Sequence, residues 1–502
     1  MSLPVLADLP AVRPSAVLIS FDTGNTKDLI KYEGGAVSYG QPTTPLNRVR
    51  QRLLDKGIAI LTPAAPSDRS GGIDFNWRES YTHLRDIEAL VAEAHKRLPG
   101  VPVVLHGYIA GATSLIYAAR ERISGVDGYV ITSGQLGIHR DDSLSGIKTR
   151  GLVIQPLSHW CDLTPTPEAR EVAAAAHWQF VGAGHARPER QPRCVTNSNT
   201  GLVGLDAEYA DLLSRWIAGE SAPASLGANP AALSYDESVF MVEGASRGLF
   251  GKNKIEVSVF TPPGKGPFPL LVFNHGDVED SPSLRRHLRF RDMVMANEFL
   301  AMGFVVAIPA RPGVGRSDGI YRRFSGSGGI FIGPATGLLE KGKAHLQEGL
   351  AALNFVRGLP QVDASRVVMA GQSAGGFAVA CLGLMEPPVE GVKAIINFSG
   401  GRTDTPTGET AKGLNEGMVS VFEVLGKSIT PPSLWIFAEN DSRYTAETIR
   451  AAYAAYAAAG GQAKLLLYPA IARDGHFIYH QPDKWRAETR AFLASLGLLS
   501  AP

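Results

Sequence analysis

Cysteine is scarce in this chain. Only three of its 502 residues are cysteines, Cys161, Cys194 and Cys381, and they lie far apart in the sequence. None belongs to a Cys-x-x-Cys pair or to a cluster with the spacing of metal ligands. We therefore predict reduced cysteines, as in a cytoplasmic protein, and the sequence indicates neither a metal nor a cofactor.

Long hydrophobic runs and an excess of one charge are also missing. No apolar run approaches the length of about 18 residues that suggests a membrane span, and the first residues lack the pattern of a signal peptide. The 49 Lys and Arg residues balance 48 Asp and Glu residues, which gives a net charge of +1. Because this balance provides no general attraction to nucleic acid or to membranes, we predict a cytoplasmic protein with neither as a partner.

What the sequence does contain is an internal repeat. The segment LLDKGIAILTPAAP (53–66) aligns without gaps to FLAMGFVVAIPARP (299–312), and an amphipathic helix follows each copy. Two further pairs keep the same order: VVLHGYIAGA (103–112) with VVMAGQSAGG (367–376), and GVDGYVITSG (125–134) with GVKAIINFSG (391–400). Several matches in one order indicate a duplication.

The repeat predicts the fold class and the domain organisation. Strands that alternate with helices predict an α/β fold with a mostly parallel sheet and helices on both faces. We therefore predict two tandem α/β domains, at 1–218 and 235–502. The segment 219–234 is rich in Gly, Ala, Pro and Ser and is interpreted as a linker. The stretches ESVFMVEG and KIEVSVFTPPG predict an antiparallel hairpin at the edge of the second sheet.

The second copy contains a candidate nucleophile in the motif Gly371-Gln372-Ser373-Ala374-Gly375. An apolar strand precedes it and a helix of small residues follows. That context is typical of a nucleophile elbow, a sharp turn that exposes the serine and needs glycines beside it. The pattern also arises by chance in a chain with 55 glycines, but its position between strand and helix favours a catalytic role for Ser373.

A serine hydroxyl needs a base to take its proton and an acid to orient that base. After a nucleophile elbow the expected chain order is serine, acid, histidine. Asp441 ends the apolar strand SLWIFAEND, and His476 lies in the loop after AKLLLYP. These two residues are the predicted acid and base. The alternatives are Glu439 and Asp474 for the acid and His480 for the base.

An oxyanion hole requires N–H donors next to the nucleophile. We predict the backbone N–H of Ala374 as one donor, because it begins a helix whose dipole favours negative charge. The second donor is predicted in the loop after PLLVFNHG (269–276), from Gly276 or Asp277. His275 is interpreted as a structural hydrogen-bonding residue rather than as a second base.

The motifs FNHGD, PARPGVGRSDG, GQSAG, AENDSRY and DGH, in this order, resemble the α/β-hydrolase superfamily. The similarity is greatest to its dienelactone hydrolase-like and prolyl-oligopeptidase-like serine esterases. It covers roughly 236–500 and, more faintly, 14–218. The resemblance implies an acyl-enzyme mechanism with Ser373 as nucleophile, Asp441 as acid and His476 as base. Dienelactone hydrolases proper use cysteine as nucleophile, so lactone specificity is not carried over and ester cleavage is expected.

The first copy keeps the turn but lacks the nucleophile. Gly107 and Gly111 remain, while Ile109 stands where the serine would be, and Ser114 falls too far into the next helix to replace it. Asp162 and His185 stand where an acid and a base would lie. We interpret this half as a degenerate hydrolase-like domain that supports or roofs the active half. The alternative is a pocket that holds a ligand.

Two further segments have open interpretations. SLRRHLRFRD (283–292) is interpreted as a solvated, ion-paired helix start, with binding of an anionic substrate group as the alternative. LNEGMVSVFEVLG (414–426) and the glycine-rich 321–337 are candidates for a lid and for the border of a pocket.

The sequence thus predicts a serine hydrolase, most simply a carboxylesterase acting on a small-molecule ester. A peptidase or amidase with the same triad is the alternative within enzymes, and a non-catalytic binding protein is the alternative outside them. Assembly into a homo-oligomer stays open.

Overall fold

The computed structural model divides the chain into two compact units, Met1–Ser234 and Tyr235–Pro502. Each unit is considered by itself. The structure describes the following residues: 5–22, 30–33, 36–39, 44–66, 69, 73–139, 142–157, 159, 161, 163–185, 194, 198–227, 235–246, 251–278, 285, 289–321, 335–401, 411–428 and 431–499.

The first unit is built on an eight-stranded sheet. Its strands are β1 (Val5–Asp8), β2 (Ala16–Phe21), β5 (Ile58–Pro63), β6 (Val103–Tyr108), β7 (Gly128–Thr132), β8 (Gly151–Pro156), β9 (Gln179–Gly184) and β10 (Ser225–Gly227), while β3 (Ile30–Glu33) and β4 (Ala36–Tyr39) form a separate hairpin. The strand order is β1-β5-β2-β6-β7-β8-β9-β10. Only β1 runs antiparallel to its neighbour, so the sheet is mostly parallel, as predicted.

The helices of the first unit follow the predicted alternation with strands. They are α1 (Pro45–Asp55), α2 (Phe75–Arg78), α3 (Tyr81–Arg97), α4 (Gly111–Arg120), α5 (Thr166–Ala175) and α6 (Asp206–Ile217). The central strands β2, β6, β7 and β8 are buried along their whole length. Their side chains alternate between two apolar clusters: Val17 and Ile19 join α3, α4 and α5, whereas Leu18 joins α1 and α6. The sheet is therefore covered by helices on both faces.

The second unit repeats this architecture. Its strands are β11 (Asp236–Ser246), β12 (Lys252–Thr261), β13 (Phe268–Asn274), β14 (Val305–Pro309), β15 (Val362–Gln372), β16 (Val392–Phe398), β17 (Ser433–Ala438) and β18 (Ala463–Tyr468). The strand order is β11-β12-β14-β13-β15-β16-β17-β18. β11 and β12 form the antiparallel edge hairpin that the sequence predicted, and the strands from β14 to β18 are parallel.

The helices in the described part of the second unit are α7 (Met293–Ala301), α8 (Ala335–Val356), α9 (Ala374–Ala380), α10 (Glu416–Gly426), α11 (Ala446–Ala458) and α12 (Pro482–Ser495). α10 was a lid candidate. Its residues Met418, Val421 and Phe422 are instead buried, and Phe422 contacts Phe377 and Trp435. This amphipathic helix therefore belongs to the core layer. Most of 321–337, the candidate border of a pocket, lies outside the described residues.

The repeat is visible in the strand register. Phe21 at the end of β2 pairs with Gly107 of β6, and Asn274 at the end of β13 pairs with Gly371 of β15. The predicted α/β fold class, with two mostly parallel sheets flanked by helices, is confirmed.

The predicted linker is not entirely irregular. Within 219–234, Ser225–Gly227 forms β10 and pairs in parallel with β9. A three-residue strand has too little sequence pattern to be recognised, and it forms because the edge of the sheet offers backbone partners.

The cysteine prediction is wrong. Cys161 and Cys194, separated by 33 positions, form a disulfide with their Cα atoms 4.6 Å apart, and Cys381 is a buried free thiol. Loops that follow β8 and β9 bring the two residues together, which sequence spacing does not reveal. Disulfides are typical of oxidising compartments, so the cysteines no longer support a cytoplasmic location. Among the described helices, none combines the length and apolar character of a membrane span.

Candidate active site

Ser373 lies in a sharp turn between β15 and α9. Its φ of 52° and ψ of −120° are unusual for a residue with a side chain. The turn closes tightly because a Cβ on Gly375 would lie 1.9 Å from the carbonyl oxygen of Asn274, and one on Gly371 would lie 2.3 Å from that of Gly375. Both glycines of the motif are therefore required by the close approach of backbone atoms.

Three predicted site residues meet at this turn. His476 Nε2 lies 2.8 Å from Ser373 Oγ, and His476 Nδ1 lies 3.0 and 3.1 Å from the two carboxylate oxygens of Asp441. A carboxylate accepts only, so Nδ1 carries the proton of the neutral ring, and Nε2 is free to accept the proton of the serine. Asp441 and His476 are 5% and 7% exposed, which keeps the pair largely out of water.

Neighbouring groups fix the orientation of this pair. Gln372 Nε2 donates to the carbonyl oxygen of His476 at 3.1 Å, which ties the histidine loop to the elbow. Asp441 Oδ1 accepts from the backbone N–H groups of Arg443 and Tyr444 at 2.8 and 3.3 Å. The carboxylate is thus held at the start of the loop after β17.

The alternative acid and base residues have other contacts. Glu439 pairs with Arg450 at an exposed position. Asp474 accepts from the backbone N–H groups of His476 and Ser442, so it shapes the histidine loop. His480 pairs with Asp292 at 2.7 Å. Each of the three side chains is thus engaged by other partners.

The loop predicted to hold the second oxyanion donor runs beside the nucleophile. A Cβ on Gly276 would lie 3.0 Å from Ser373 Cβ and would displace the side-chain oxygen of Gln372, so this loop packs closely against the elbow. Ala374 begins α9, and the first N–H groups of a helix lack intrahelical acceptors. The structure therefore brings Ala374 and Gly276, with the adjoining Asp277, to the elbow.

His275 has the structural role that the sequence indicated. Its Nε2 accepts from the backbone N–H of Arg311 at 3.2 Å, and its Nδ1 donates to the carbonyl oxygen of Gly276 at 2.8 Å. Burial and the charge of Arg311 lower the pKa of His275 to about 3, so the ring is neutral. It links the loop after β13 to the loop after β14.

Sequence reasoning missed a second link between these loops. Arg311 Nη1 donates to the carbonyl oxygen of Gly276 at 3.2 Å and to Asp277 Oδ1 at 2.7 Å. The Tyr321 hydroxyl donates to the same Asp277 oxygen at 3.2 Å and accepts from the N–H of Val278 at 2.9 Å. The sequence repeat gives an indication of this link. PARP in the second copy aligns with PAAP in the first, so the arginine is specific to the second copy.

The arginine-rich segment has a structural function, and the prediction that it is a solvated helix start is wrong for its last arginines. Arg289 and Arg291 are buried and both donate to Glu237 on β11. Burial raises the pKa of Glu237, but the two guanidinium groups together bring it down to about 2. These cations are thus engaged by a carboxylate of their own unit, which leaves the anionic-substrate alternative without support from them.

The first unit holds the corresponding turn, with Ile109 at the position of Ser373. Ile109 has a φ of 47° and is buried. Ser114 Oγ contacts Arg78 and His83. Burial lowers the pKa of His185, which follows β9, to about 4. Asp162, the predicted counterpart of the acid, lies outside the described residues.

One group of described residues has the composition of a metal site. Ligand atoms of Glu79, His139 and Asp142 lie within 4.8 Å of one another in the first unit. His139 Nδ1 is 2.8 Å from Asp142 Oδ2, and Arg120 is 3.2 Å from the same oxygen. A cation already at that carboxylate favours an ion-pair network over a metal.

The strand order of the second unit and the elbow after β15 define an α/β-hydrolase-like fold. No family model and no curated protein sequence matches the chain. Several solved structures, in contrast, are similar to the chain. An esterase of Pyrococcus furiosus is 16% identical, over 54% of this chain and 96% of that one, with a TM-score of 0.38.

Two further solved structures are similar at this level. Pyrococcus horikoshii acylaminoacyl peptidase is 17% identical over 53% of this chain and 41% of its own length, with a TM-score of 0.37. A protein described as a dienelactone hydrolase, from Klebsiella pneumoniae, is 14% identical over 52% of this chain and 99% of its own length, with a TM-score of 0.32. The chain therefore spans less than half of the peptidase.

Proposed function

We propose that the second unit is a serine hydrolase that cleaves carboxylic esters through an acyl-enzyme. The observation that carries the proposal is the continuous hydrogen-bonded line from Ser373 Oγ through His476 to the Asp441 carboxylate. A hydroxyl, a neutral imidazole and a buried carboxylate in this order can generate a nucleophile at neutral pH.

In the first half-reaction, Ser373 Oγ attacks the ester carbonyl carbon while His476 Nε2 takes the hydroxyl proton. The N–H of Ala374 and an N–H of Gly276 or Asp277 stabilise the negative oxygen of the tetrahedral intermediate. The C–O bond to the alcohol then breaks, and the imidazolium returns its proton to the leaving oxygen. In the second half-reaction, water attacks the acyl carbon while His476 Nε2 takes a proton from it. The bond between that carbon and Ser373 Oγ then breaks, the imidazolium returns its proton to Oγ, and the carboxylic acid is released.

The triad geometry is also that of a peptidase or amidase, which differs in the leaving group. An amine must be protonated before it leaves, whereas an alkoxide departs more readily. The ester is thus the less demanding substrate for this set of groups. Ester cleavage is therefore the primary proposal.

Labelling with a fluorophosphonate and turnover of nitrophenyl esters test this proposal. We expect the label on Ser373, and we expect Ser373→Ala to lose ester turnover by several orders of magnitude while it keeps roughly 10³-fold over water. Turnover like that of the unmodified protein in this variant would refute the assignment. Peptide anilides cleaved faster than esters would favour the peptidase.

Paired variants test the choice of acid and base. Asp441→Asn should lower kcat by roughly 10³–10⁴-fold, because the wrong tautomer of His476 is then favoured. Glu439→Gln is its control, and His480→Ala is the control for His476→Ala. Both controls should keep turnover close to that of the unmodified chain. If a control variant lost more turnover than its partner, the role of acid or base would belong to the control residue instead.

A further inference from the structure

The acid and the base of the triad lie on two neighbouring segments of the second unit. β17 and β18 pair in parallel, so the loops that follow them leave the sheet at the same edge. The loop 439–445 after β17 holds Asp441, and the segment 469–476 after β18 holds His476. Loops are more mobile than the strands that they follow. The distance of 3.0 Å from His476 Nδ1 to Asp441 Oδ1 therefore depends on what fixes one loop against the other.

Asp474 bonds both loops with one carboxylate. Its Oδ1 accepts from the backbone N–H groups of Ser442 and His476, each at 2.9 Å, and its Oδ2 accepts from the Ser442 hydroxyl at 2.5 Å. Burial raises the pKa of Asp474, but these hydrogen bonds bring it below its ordinary value, so the side chain is an ionised acceptor at neutral pH. The residue after the acid and the base itself thus share one acceptor group.

Asn440 makes the reverse connection, from the acid loop to the base loop. Its amide group donates to the carbonyl oxygens of Ile471 and Arg473 at 3.0 and 2.8 Å and accepts from the N–H of Ile471 at 3.0 Å. The N–H of Gly475 donates to the carbonyl oxygen of Asn440 at 3.1 Å. A Cβ on Gly475 would lie 2.6 Å from the backbone nitrogen of Asp441, so the two backbones are in close contact here. We call the side chains of Asn440, Ser442 and Asp474 the loop clasp.

The first unit links the equivalent loops by other means. β8 and β9 are neighbours in its strand order, as β17 and β18 are in the second unit. Cys161 follows β8, Cys194 follows β9, and their disulfide joins the two loops. Two different links between the same pair of loops indicate that strand pairing alone does not fix their relative position.

We propose that Asp474 is a positioning residue, which acts through the loop clasp to keep the His476 ring in line between Ser373 Oγ and Asp441. This role rests on the proposed function, because Asp474 bonds the backbone that carries the ring. A displacement of about 1 Å in a catalytic group can cost about 10²-fold in rate, so a loosened base loop should lower kcat. KM should change little, since the imidazole works in the chemical steps.

Two substitutions of Asp474 separate position from charge. Asp474→Ala removes all three hydrogen bonds and should lower kcat for nitrophenyl esters by about 10–100-fold, with KM within about threefold. Asp474→Asn removes the charge, but its amide oxygen can accept from both N–H groups and its NH₂ group can donate to the Ser442 hydroxyl. It should recover kcat to within about threefold of the unmodified chain. The control is Asp363→Ala, which should leave kcat unchanged, since Asp363 accepts from the N–H and hydroxyl of Ser365 in the same way outside the site.

If Asp474→Ala does not fold, Ser442→Ala takes its place. This variant removes only the hydroxyl bond of the clasp and should lower kcat about three- to tenfold. An unchanged kcat in the folded Asp474→Ala protein, or in Ser442→Ala where it is the substitute, would overturn the proposal. An asparagine variant as impaired as the alanine variant would also overturn it, because the charge and not the position of the loop would then matter.

Proton NMR of protein labelled with ¹⁵N-histidine gives a readout that needs no turnover. The signal of His476 Nδ1–H, assigned by its absence in His476→Gln, should broaden or disappear through exchange with water in Asp474→Ala and return in Asp474→Asn. An unaltered signal in the alanine variant would overturn the clasp, even if the unmodified chain proves to have no esterase activity. That lack of activity would refute the proposed function alone.

Discussion

Ser373 and Ile109 occupy equivalent points of two separate turns, and their backbones are nearly alike. Their φ values are 52° and 47°, and Ser399 and Ser133, after the next strand of each unit, have φ values of 45° and 48°. Positive φ at a β-branched residue such as isoleucine is a rare and strained conformation. The turn therefore has the same backbone shape with isoleucine as with serine, so the strain belongs to the fold and not to the serine.

Arg311 provides the first prediction at the residue scale. As it bonds both the carbonyl of Gly276 and the carboxylate of Asp277, it fixes the loop that is proposed to bear the second oxyanion donor. Arg311→Met should lower kcat for ester turnover by roughly 10–100-fold and leave KM within about threefold, because the donor acts mainly in the transition state.

The matched control for this variant is Arg366→Met. Arg366 pairs with Asp363 at 2.7 Å in the same unit but outside the site. Steady-state kinetics and circular dichroism of both variants check the prediction. A folded Arg311→Met protein with unchanged kcat would show that the loop needs no such support.

Glu348 provides a prediction about pH. Burial on α8 raises the pKa of this carboxyl to about 7, above its ordinary value of 4.5. Between these two values the unfolded chain releases the proton that the folded chain retains, so rising pH favours unfolding. The contribution of this group to the free energy of unfolding should therefore fall by about 2–3 kcal/mol from pH 5 to pH 8.

Urea unfolding of Glu348→Gln and of the unmodified chain at both pH values measures that contribution. The other titrating groups are the same in the two proteins, so their effects cancel in the difference between the free energies of unfolding. The variant should gain stability relative to the unmodified chain as the pH rises. Glu340→Gln, an exposed glutamate on the same helix, should show no such gain. Equal pH dependence in the two variants would mean that Glu348 ionises freely in the folded protein.

At the scale of elements, the sequence predicted the strands, helices and turns that depend on a local residue pattern. Buried strands, amphipathic helices and the glycine-flanked turn each have a short-range signature, so the two sheets and the elbow could be predicted from the sequence. Asp441 and His476 could be named because each lies in a loop just after a predicted strand, and parallel strands end at the same edge of a sheet.

Contacts between distant loops could not be predicted. The Arg311–Asp277 pair joins loops 34 positions apart, and Cys161 and Cys194 are 33 positions apart. Neither pair has a periodic pattern, because its partners meet only after the whole sheet has formed. The strand Ser225–Gly227 was missed for a related reason, since it is defined by its neighbour β9 rather than by its own residues.

Ile109 provides the prediction for the elbow as an element. The side chain is 5% exposed, so Ile109→Ala should lower the free energy of unfolding by about 2–5 kcal/mol. Ile109→Gly removes the same atoms and a little more, yet it relieves the positive φ. It should therefore be at least as stable as the alanine variant in thermal unfolding. A glycine variant clearly less stable than alanine would indicate that the turn is not strained.

At the scale of the whole molecule, the two units differ in chemistry more than in architecture. The described apolar clusters each draw on one unit: one pair on residues between Ala16 and Leu226, the other on residues between Val242 and Leu467. All groups of the proposed reaction lie in the second unit. A domain can fold alone when its hydrophobic core is formed by residues of its own chain segment.

We therefore expect the fragment 235–502 to fold, to react with a fluorophosphonate and to hydrolyse esters within about tenfold of the full chain. The fragment 1–234 should also fold but take up no label, because Ile109 replaces the nucleophile. Size-exclusion chromatography, cooperative thermal unfolding and ester kinetics of both fragments check this. An aggregated or inactive 235–502 fragment would contradict the expectation and would support the structural role that the sequence suggested for the first half. A soluble fragment with altered ester preference would instead indicate that the first half shapes substrate access.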